Sequence, residues 1–469
     1  MLNDLLTTEP QVAAAGVDLF SDALRQQAVA VTDIDWRPPL AGTEQDLATV
    51  MADARRAEAN RRATDLMKGA GAELVGLRPA REAVDLAPGE FLHSGPPLTW
   101  DRASGPMRGA LVGAALFEGL VDSPEEAEAG FASGRFTMEP CHHRDAVGPM
   151  AGVVSPSMYL QELHDPVHGN TAWCSLNEGL GKVLRYGANN AEVIDRLVWM
   201  RDVLGPVLAR AVERTGPVDV RAYISQMVQM GDEGHNRNRS GTLMFLRDVA
   251  PAMFELDEFS SADRAAAYRF VGGNDHFALN LVMPACKLMS MAARNVPGSS
   301  TVVVMARNGT DFGIQVSGTG DQWFTGPANK PEGLFLGSYG PEDANPDIGD
   351  SAITETAGIG GLAMATSPAI VQLVGGDVPF ALRTTRTMYE ICGAESQVWQ
   401  LPIMEFRGTP TGIDVAKVAA TGILPQINTG MAGAVAGVGQ VGAGLVNPPE
   451  QCFTQALSAL AAAADSVTE

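Results

Sequence analysis

Apolar and polar positions change period along this chain, and the changes mark out its elements. Near the start, "QVAAAGV" is small and apolar, "LFSDALRQQA" has helical spacing, and "VAVTDIDW" alternates. Strand, helix, strand is the expectation, a βαβ unit over residues 11–35. "EQDLATVMADARRAEANRRATDLMKGA" reads as a long polar-rich helix or a helix pair, and "AELVG" as a third strand. Together they predict a Rossmann-like α/β domain over 1–135. It lacks the glycine fingerprint after its first strand that a nucleotide site would need. "SGPMRGALVGAALFEGL" predicts a helix with Ser104 as N-cap and Pro106 in the first turn.

From Glu139 to Gly187 the chain is rich in Gly, Pro, His and Asn, and short strands are expected. Three-to-four spacing then dominates residues 191–270, which predicts a mainly helical segment. Residues 271–295 read as helix interrupted at Pro284. Beyond 298 the pattern becomes strands, tight turns and glycine loops, and the last 20 residues form an alanine-rich helix. The predicted fold class is therefore mixed α/β and α+β, and multi-domain. The Rossmann-like unit is followed by an α+β body over 136–190 and 271–469, which carries the polar motifs, with the helical segment 191–270 inserted.

Composition narrows the function classes. The 469 residues, 45% of them apolar and 19% charged, can bury a large core. A net charge of -22 repels nucleic acid and anionic lipid, so neither is an expected partner. A small anionic substrate would need a local cluster of Arg or helix N-termini against that field. No apolar run of about 20 residues occurs, so no spanning helix is expected. The opening "MLNDLLTTEP" does not read as a secretory signal. Five widely spaced cysteines without a C-x-x-C argue against a disulfide framework and for a reducing cytoplasm. Six of the seven histidines lie between residues 142 and 276.

Four of those six, His142, His143, His235 and His276, sit in three polar segments. In "EPCHHRDAVGPMAG", Cys141, His142 and His143 are adjacent. If extended, they alternate faces, which suits a proton-transfer wall better than one three-ligand metal site. The bland alternative is a satisfied core imidazole, with Cys141 as an inert apolar residue. In "MGDEGHNRNRSG", a helix would put Asp232, His235 and Asn236 on one face, beside Glu233, Arg237 and Arg239. A solvated helix end is the alternative, but Gly231 and Gly234 would each cost a helix about 1 kcal/mol relative to Ala. In "GGNDHFALN", Asn274 or Asp275 could be a plain N-cap, with His276 and Asn280 four apart on the following helix. A Zn²⁺ or Mg²⁺ site could be assembled from these groups, yet no H-E-x-x-H or H-x-H spacing exists. A metal-free acid/base site fits equally.

Anion-binding candidates complete the inventory. Gly298, Ser299, Ser300 and Thr301 form a turn before a strand, and Arg307, Asn308, Gly309, Thr310 and Asp311 a polar turn after it. "SLNEGLGKVLRYG" adds Asn177, Glu178, Lys182 and Arg185, without the full glycine pattern of a phosphate loop. "GVGQVG" at 437–442 matches a dinucleotide fingerprint by letter only. It has no room for a crossover helix before Asn447-Pro448-Pro449, so a flexible or tightly packed loop is expected.

The order of "PCHHRDAVGPMAGVVSPSM", "LNEGLGKVLRYGAN", "MGDEGHNRN", "NDHFALNL", "MARNGTDFGIQVSG", "NPDIGDSAITETAGIGG", "FRGTPTGIDV" and "AGVGQVGAG" resembles the family that includes one subunit of bacterial oxamate carbamoyltransferase, from anaerobic allantoin breakdown. Many of its members have been known only as a family of unknown function. The resemblance covers about residues 90–455 closely. It implies phosphorolysis of an N-carbamoyl compound: oxalurate and phosphate giving oxamate and carbamoyl phosphate, in a complex of several different subunits. A homo-oligomer is also open.

Under that reading Arg144, Arg237 and Arg307 are candidates to bind the phosphate dianion, and N–H groups near Gly298–Thr301 to stabilise an oxyanion. His142, His143, His235 or His276 would move the proton, with Asp275 beside them. Asn177, Glu178, Asp232, Glu233, Asn236, Asn274, Ser299, Ser300, Asn308 and Thr310 are the expected substrate contacts. No cofactor is expected, though a divalent metal stays open. Two other classes compete: a non-catalytic scaffold subunit, and a stand-alone metal-dependent amide hydrolase.

Overall fold

The computed structural model describes residues 12–16, 18–34, 37–368 and 376–468. The opening segment "MLNDLLTTEP" lies outside them, as do Gln11, Val17, Asp35 and Trp36 at the edges of the expected βαβ unit. Within that unit, strand Val12–Ala15, helix Asp18–Gln26 and strand Val31–Ile34 follow in the expected order, and the two strands pair in parallel. The unit ends there. The third strand, Glu73–Pro79, joins a different sheet, so the N-terminal segment is not assembled as the expected Rossmann-like domain. The reason is packing. The helix pair Glu44–Ala52 and Arg56–Gly69 carries the chain away, and the second helix docks on the helix Leu279–Ala292 instead of covering the first two strands.

Glu73–Pro79 lies inside a five-stranded sheet, in the order Ala146–Val147, Thr171–Ser175, Tyr159–His164, Glu73–Pro79, Val218–Asp219. This sheet draws strands from before residue 136, from 136–190 and from the helical segment. From Ala191 to Gly272 the chain is mainly helical, with one π-helical turn, Met200–Leu204, and the short strand Val218–Asp219. A continuous apolar core reaches from Ala59 to Ala432. A second sits under the four-stranded sheet Phe324–Pro327, Asp311–Val316, Val302–Asn308, Ile348–Gly349 and the C-terminal helix Glu450–Thr468. Among the described residues no helix is long and apolar enough to cross a membrane.

Leu279–Ala292 is the central helix. Every residue from Leu279 to Ser290 is buried. The expected interruption at Pro284 does not occur: the helix runs through it. One missing N–H removes a single backbone bond, and packing from all sides holds the remaining turns in place. Ser104 does occupy the N-cap position of the helix Gly105–Phe117, but its hydroxyl makes no capping bond and stays buried without a partner.

Candidate functional site

Three expected helical or extended motifs are loops, and this brings their side chains together. Gly231 takes a left-handed conformation (φ 92°) and stops the helix Val220–Met230, so residues 232–238 form a loop and not the expected helix face. Glu233 is buried at its centre. Its carboxylate accepts the backbone N–H groups of His235 at 3.2 Å, Asn236, and Arg237 at 3.1 Å. Burial pushes the Glu233 carboxyl up to about 7, against the pull of those N–H groups and of His235. Asp232 accepts Ser240 N–H and Oγ–H, both at 2.6 Å, so it caps the next helix, Arg239–Phe254.

The loop presents His235 to a buried acid that the sequence reading did not single out. His235 Nδ1 lies 2.8 and 3.0 Å from the two carboxylate oxygens of Glu355. Glu355 also accepts Gly361 N–H at 2.8 Å and Thr354 Oγ–H at 2.9 Å. Burial alone would raise the Glu355 pKa. His235, the Gly361 N–H and the Arg307 guanidinium outweigh it, and the carboxyl sits below its ordinary value. With Nδ1–H held by Glu355, the neutral imidazole carries its lone pair on Nε2. The only hint in the sequence was an acid inside the otherwise small and apolar "SAITETAGIGG".

A cleft of about 340 Å³ opens beside this dyad. His235, Asn236, His276, Arg185, Ser351 and Gln440 give it polar walls, and Pro149, Met150, Leu279 and Leu180 apolar ones. Asn274 turns the chain by accepting His276 N–H at 3.1 Å and donating to Asn177 Oδ1 at 3.1 Å. The helix begins only at Leu279, so His276 and Asn280 do not share its face as expected. Asn280 is buried and bonded to Asn177 and to the Ser175 carbonyl. Burial, then the charges of Arg185 and His235, lower the His276 pKa to about 4, so its ring is neutral near pH 7.

Arg185 is the cation of the cleft. Its residue is only 7% exposed. One guanidinium nitrogen donates to the Gly179 carbonyl at 2.5 Å, and Nε is buried without a partner. Among the described residues no carboxylate makes a salt bridge with it, although its charge reaches the buried Glu178 carboxyl and its guanidinium lies 5.4 Å from the Tyr186 ring centroid. The nearby Glu178 is instead turned toward the N–H groups of Leu184 at 2.7 Å and Arg185 at 3.3 Å. The three arginines singled out in the sequence are each committed elsewhere. Arg307 is fully buried in a two-nitrogen pair with Asp347 at 2.7 and 2.9 Å. Arg144 binds Glu139 at 2.7 Å, and Arg237 lies 3.4 Å from Asp232.

The segment "CHHRD" is not extended. Cys141–Arg144 is a 3-10 turn, and Asp145 closes it with φ 51°. His142 points inward. Its Nδ1 is 3.0 Å from Lys287 Nζ, and its Nε2 is 3.4 Å from Asp350 Oδ1, off hydrogen-bond geometry. Burial, then Lys287, lowers its pKa to about 4. Lys287 is itself fully buried, which lowers its pKa to about 7, with Arg294 adding to the shift. Asp350 accepts Gly95 N–H at 2.7 Å and Gly148 N–H at 2.9 Å. The pair therefore braces the Gly148-Pro149 turn from behind, and it is Pro149 and Met150 that reach the cleft. His143 is exposed and accepts from Trp323 Nε1–H at 3.2 Å. Cys141 is buried, and burial raises its thiol pKa well above the ordinary value.

The remaining candidates lie apart from the cleft. Asp275 is exposed, 3.7 Å from Arg239. Ser299 and Ser300 bind Asn60, and Ser300 also binds Asp414 at 2.7 Å. Asn308 closes the turn to Thr310 and Asp311, and Thr310 donates to the Arg102 carbonyl at 2.7 Å. Among the described residues no three His, Cys, Asp or Glu side chains converge as a metal-ligand group. "GVGQVG" is a tight loop running into the strand Gln440–Val446, without a following helix.

Residues 136–351, which contain the dyad loop, Arg185 and His276, match the family model described as oxamate carbamoyltransferase subunit AllG. The chain is also 43% identical over 409 residues to the Escherichia coli (strain K12) protein named oxamate carbamoyltransferase subunit AllG, covering 86% of this chain and 97% of that protein. The chain belongs to the oxamate carbamoyltransferase subunit AllG family. Another relative is the uncharacterized protein YahG of Escherichia coli (strain K12), 43% identical over 467 residues, 97% of this chain and 98% of that one. A crystal structure of a conserved protein of unknown function from Enterococcus faecalis V583 is similar as well, with a TM-score of 0.85 and 46% identity over 86% of this chain and 97% of that one.

Proposed function

We propose that this chain is the substrate-binding and catalytic subunit of a multi-subunit carbamoyltransferase, and that phosphate and an N-carbamoyl compound such as oxalurate react in the Arg185–His235–His276 cleft. The observation that carries this reading is Arg185: a buried guanidinium without a carboxylate partner, facing a cleft that also holds two imidazoles. A buried unpaired charge is costly. An anionic ligand would pair it, and in a protein of net charge -22 such a site is local by necessity.

The chemistry balances without an external reagent. A phosphate oxygen forms a bond to the carbamoyl carbon and the carbon–nitrogen bond to the leaving amide breaks. The proton of hydrogen phosphate ends on that nitrogen, giving carbamoyl phosphate and the amide. His235 would accept this proton at Nε2 and return it to nitrogen, with Glu355 holding the ring and stabilising its transient charge. His276, neutral beside Arg185, would hydrogen-bond the substrate. No cofactor is required by this scheme. The relative named as an oxamate carbamoyltransferase subunit supports the reaction class and the expectation of partner subunits.

The test uses the chain assembled with its partners and follows carbamoyl phosphate formed from oxalurate as phosphate is varied. Arg185→Gln is expected to lower kcat/KM for phosphate by about 100- to 1,000-fold, the usual loss when one charge-stabilising donor is removed. Phosphate-dependent turnover unchanged in that variant would overturn the assignment.

A further inference from the structure

Arg185 is reached from two sides. Besides the cleft, it borders a second hollow of about 270 Å³, which shares Pro149 with the cleft and is walled by Val153, Leu176 and Glu178. A third hollow, of about 380 Å³, shares Val153, Leu176 and Glu178 with the second and ends at Tyr159, Met200 and Arg201. The first two share Arg185 in their walls, and the last two share Glu178. Met200 and Arg201 begin the π-helical turn Met200–Leu204. Such single wide turns inside helices recur at functional sites.

The chemistry of the walls changes from one to the next. In the cleft, Arg185 and the imidazoles suit an anion. In the second hollow Arg185 is joined by a carboxylate, Glu178, with Ser175 and Asn280 beside it. Glu178 accepts two backbone N–H groups, from Leu184 and Arg185, which leaves acceptor positions on its oxygens. The neighbouring walls, Val153 and Leu176, are apolar. A phosphate dianion there would lose hydration and face a like charge. A neutral group bearing N–H donors would meet an acceptor.

We propose that the Glu178 hollow is a second substrate subsite that takes the H₂N–CO–NH end of the N-carbamoyl compound, while phosphate occupies the cleft, so that the two co-substrates meet across Arg185. The carbamoyl carbon then sits beside Arg185, open to the phosphate oxygen, with its terminal NH₂ directed to Glu178. This rests on the reading of the cleft as a phosphate site.

Kinetics of the assembled complex test it, with oxalurate and phosphate varied separately. Glu178→Gln is expected to raise KM for oxalurate about tenfold and to leave KM for phosphate within about twofold, as for a residue contacting one substrate only. Val153→Phe fills the same hollow without touching the Glu178 carboxylate and should give the same split. It keeps the test alive if Glu178→Gln fails to fold. Titration of the full chain with inorganic phosphate provides a readout independent of turnover, in which both variants should bind as wild type does and Arg185→Gln should not. If the two variants leave KM for oxalurate unchanged, or raise both KM values together, the subsite is refuted. If wild type neither binds phosphate nor makes carbamoyl phosphate, the proposed function itself fails.

Discussion

His235 owes its chemistry to a residue 120 positions away. In the sequence it stands among Asp232, Glu233, Asn236 and Arg237, and each neighbour offered itself as its partner. The fold gives Glu233 to backbone N–H groups, Asp232 to Ser240, and His235 to Glu355. In the assembled complex, His235→Gln should lower kcat by about 100- to 10,000-fold, the range for loss of a general base. Glu355→Gln should lower it less, because the ring loses the carboxylate that fixes its tautomer and stabilises its transient charge. A kcat unchanged in Glu355→Gln would count against the dyad. His235, His276 and Asn236 were legible as candidate site residues because polar groups beside glycines are poor core or helix formers. Arg185 was legible only as one member of a polar segment, and Glu355 and Lys287 were hidden inside apolar surroundings. Periodicity reads a buried charge as a break in a pattern and says nothing of its partner.

At the scale of elements, the cleft is a meeting of loops. The loop before Gln440–Val446 touches the loop carrying Leu180 through Gly439. Gly439 has φ 94°, and a Cβ there would lie 2.9 Å from the Gly181 carbonyl oxygen. Gly439→Ala is therefore expected to cost about 1–3 kcal/mol, from strain and from displaced backbone. Gly337, with φ 58° but nothing within 4 Å of its added Cβ, is the control and should cost less. Urea unfolding midpoints distinguish them, and equal losses would show that φ alone, not the loop contact, sets the cost. The helical segment 191–270, the hairpin around Gly309 and the C-terminal helix follow their hydrophobic patterns closely. The 232–238 loop and the continuous helix through Pro284 do not. There local propensity yields to a buried carboxylate in one case and to all-round packing in the other.

For the whole molecule, buried titratable groups make stability depend on pH in a defined direction. His142 and His276 have folded pKa values of about 4 against an ordinary 6.5, so between these values the unfolded chain binds more protons and stability falls as pH falls. Glu233 acts oppositely: its pKa is raised from 4.5 to about 7, so the folded state holds the extra proton over that window. His93 and His143 are lowered as well and Glu178 is raised, so four histidines stand against two carboxyls and outweigh them. The thermal midpoint should therefore drop on acidification from pH 6.5 to 4.5, and more steeply in Glu233→Gln, where one opposing group is gone. A midpoint that is flat or rising over that range would refute the assignment of these buried groups. Family membership, the helical middle, the closing helix and the polar segments of the site follow from the amino-acid order alone, because hydrophobic period and motif order are properties of neighbouring residues. The sheet that receives Glu73–Pro79, the carboxylates that claim Arg144, Arg237 and Arg307, and the isolation of Arg185 at a cleft come only from tertiary structure. Strand pairing and charge pairing join residues tens to hundreds of positions apart, and which partners meet is settled by how the whole chain packs.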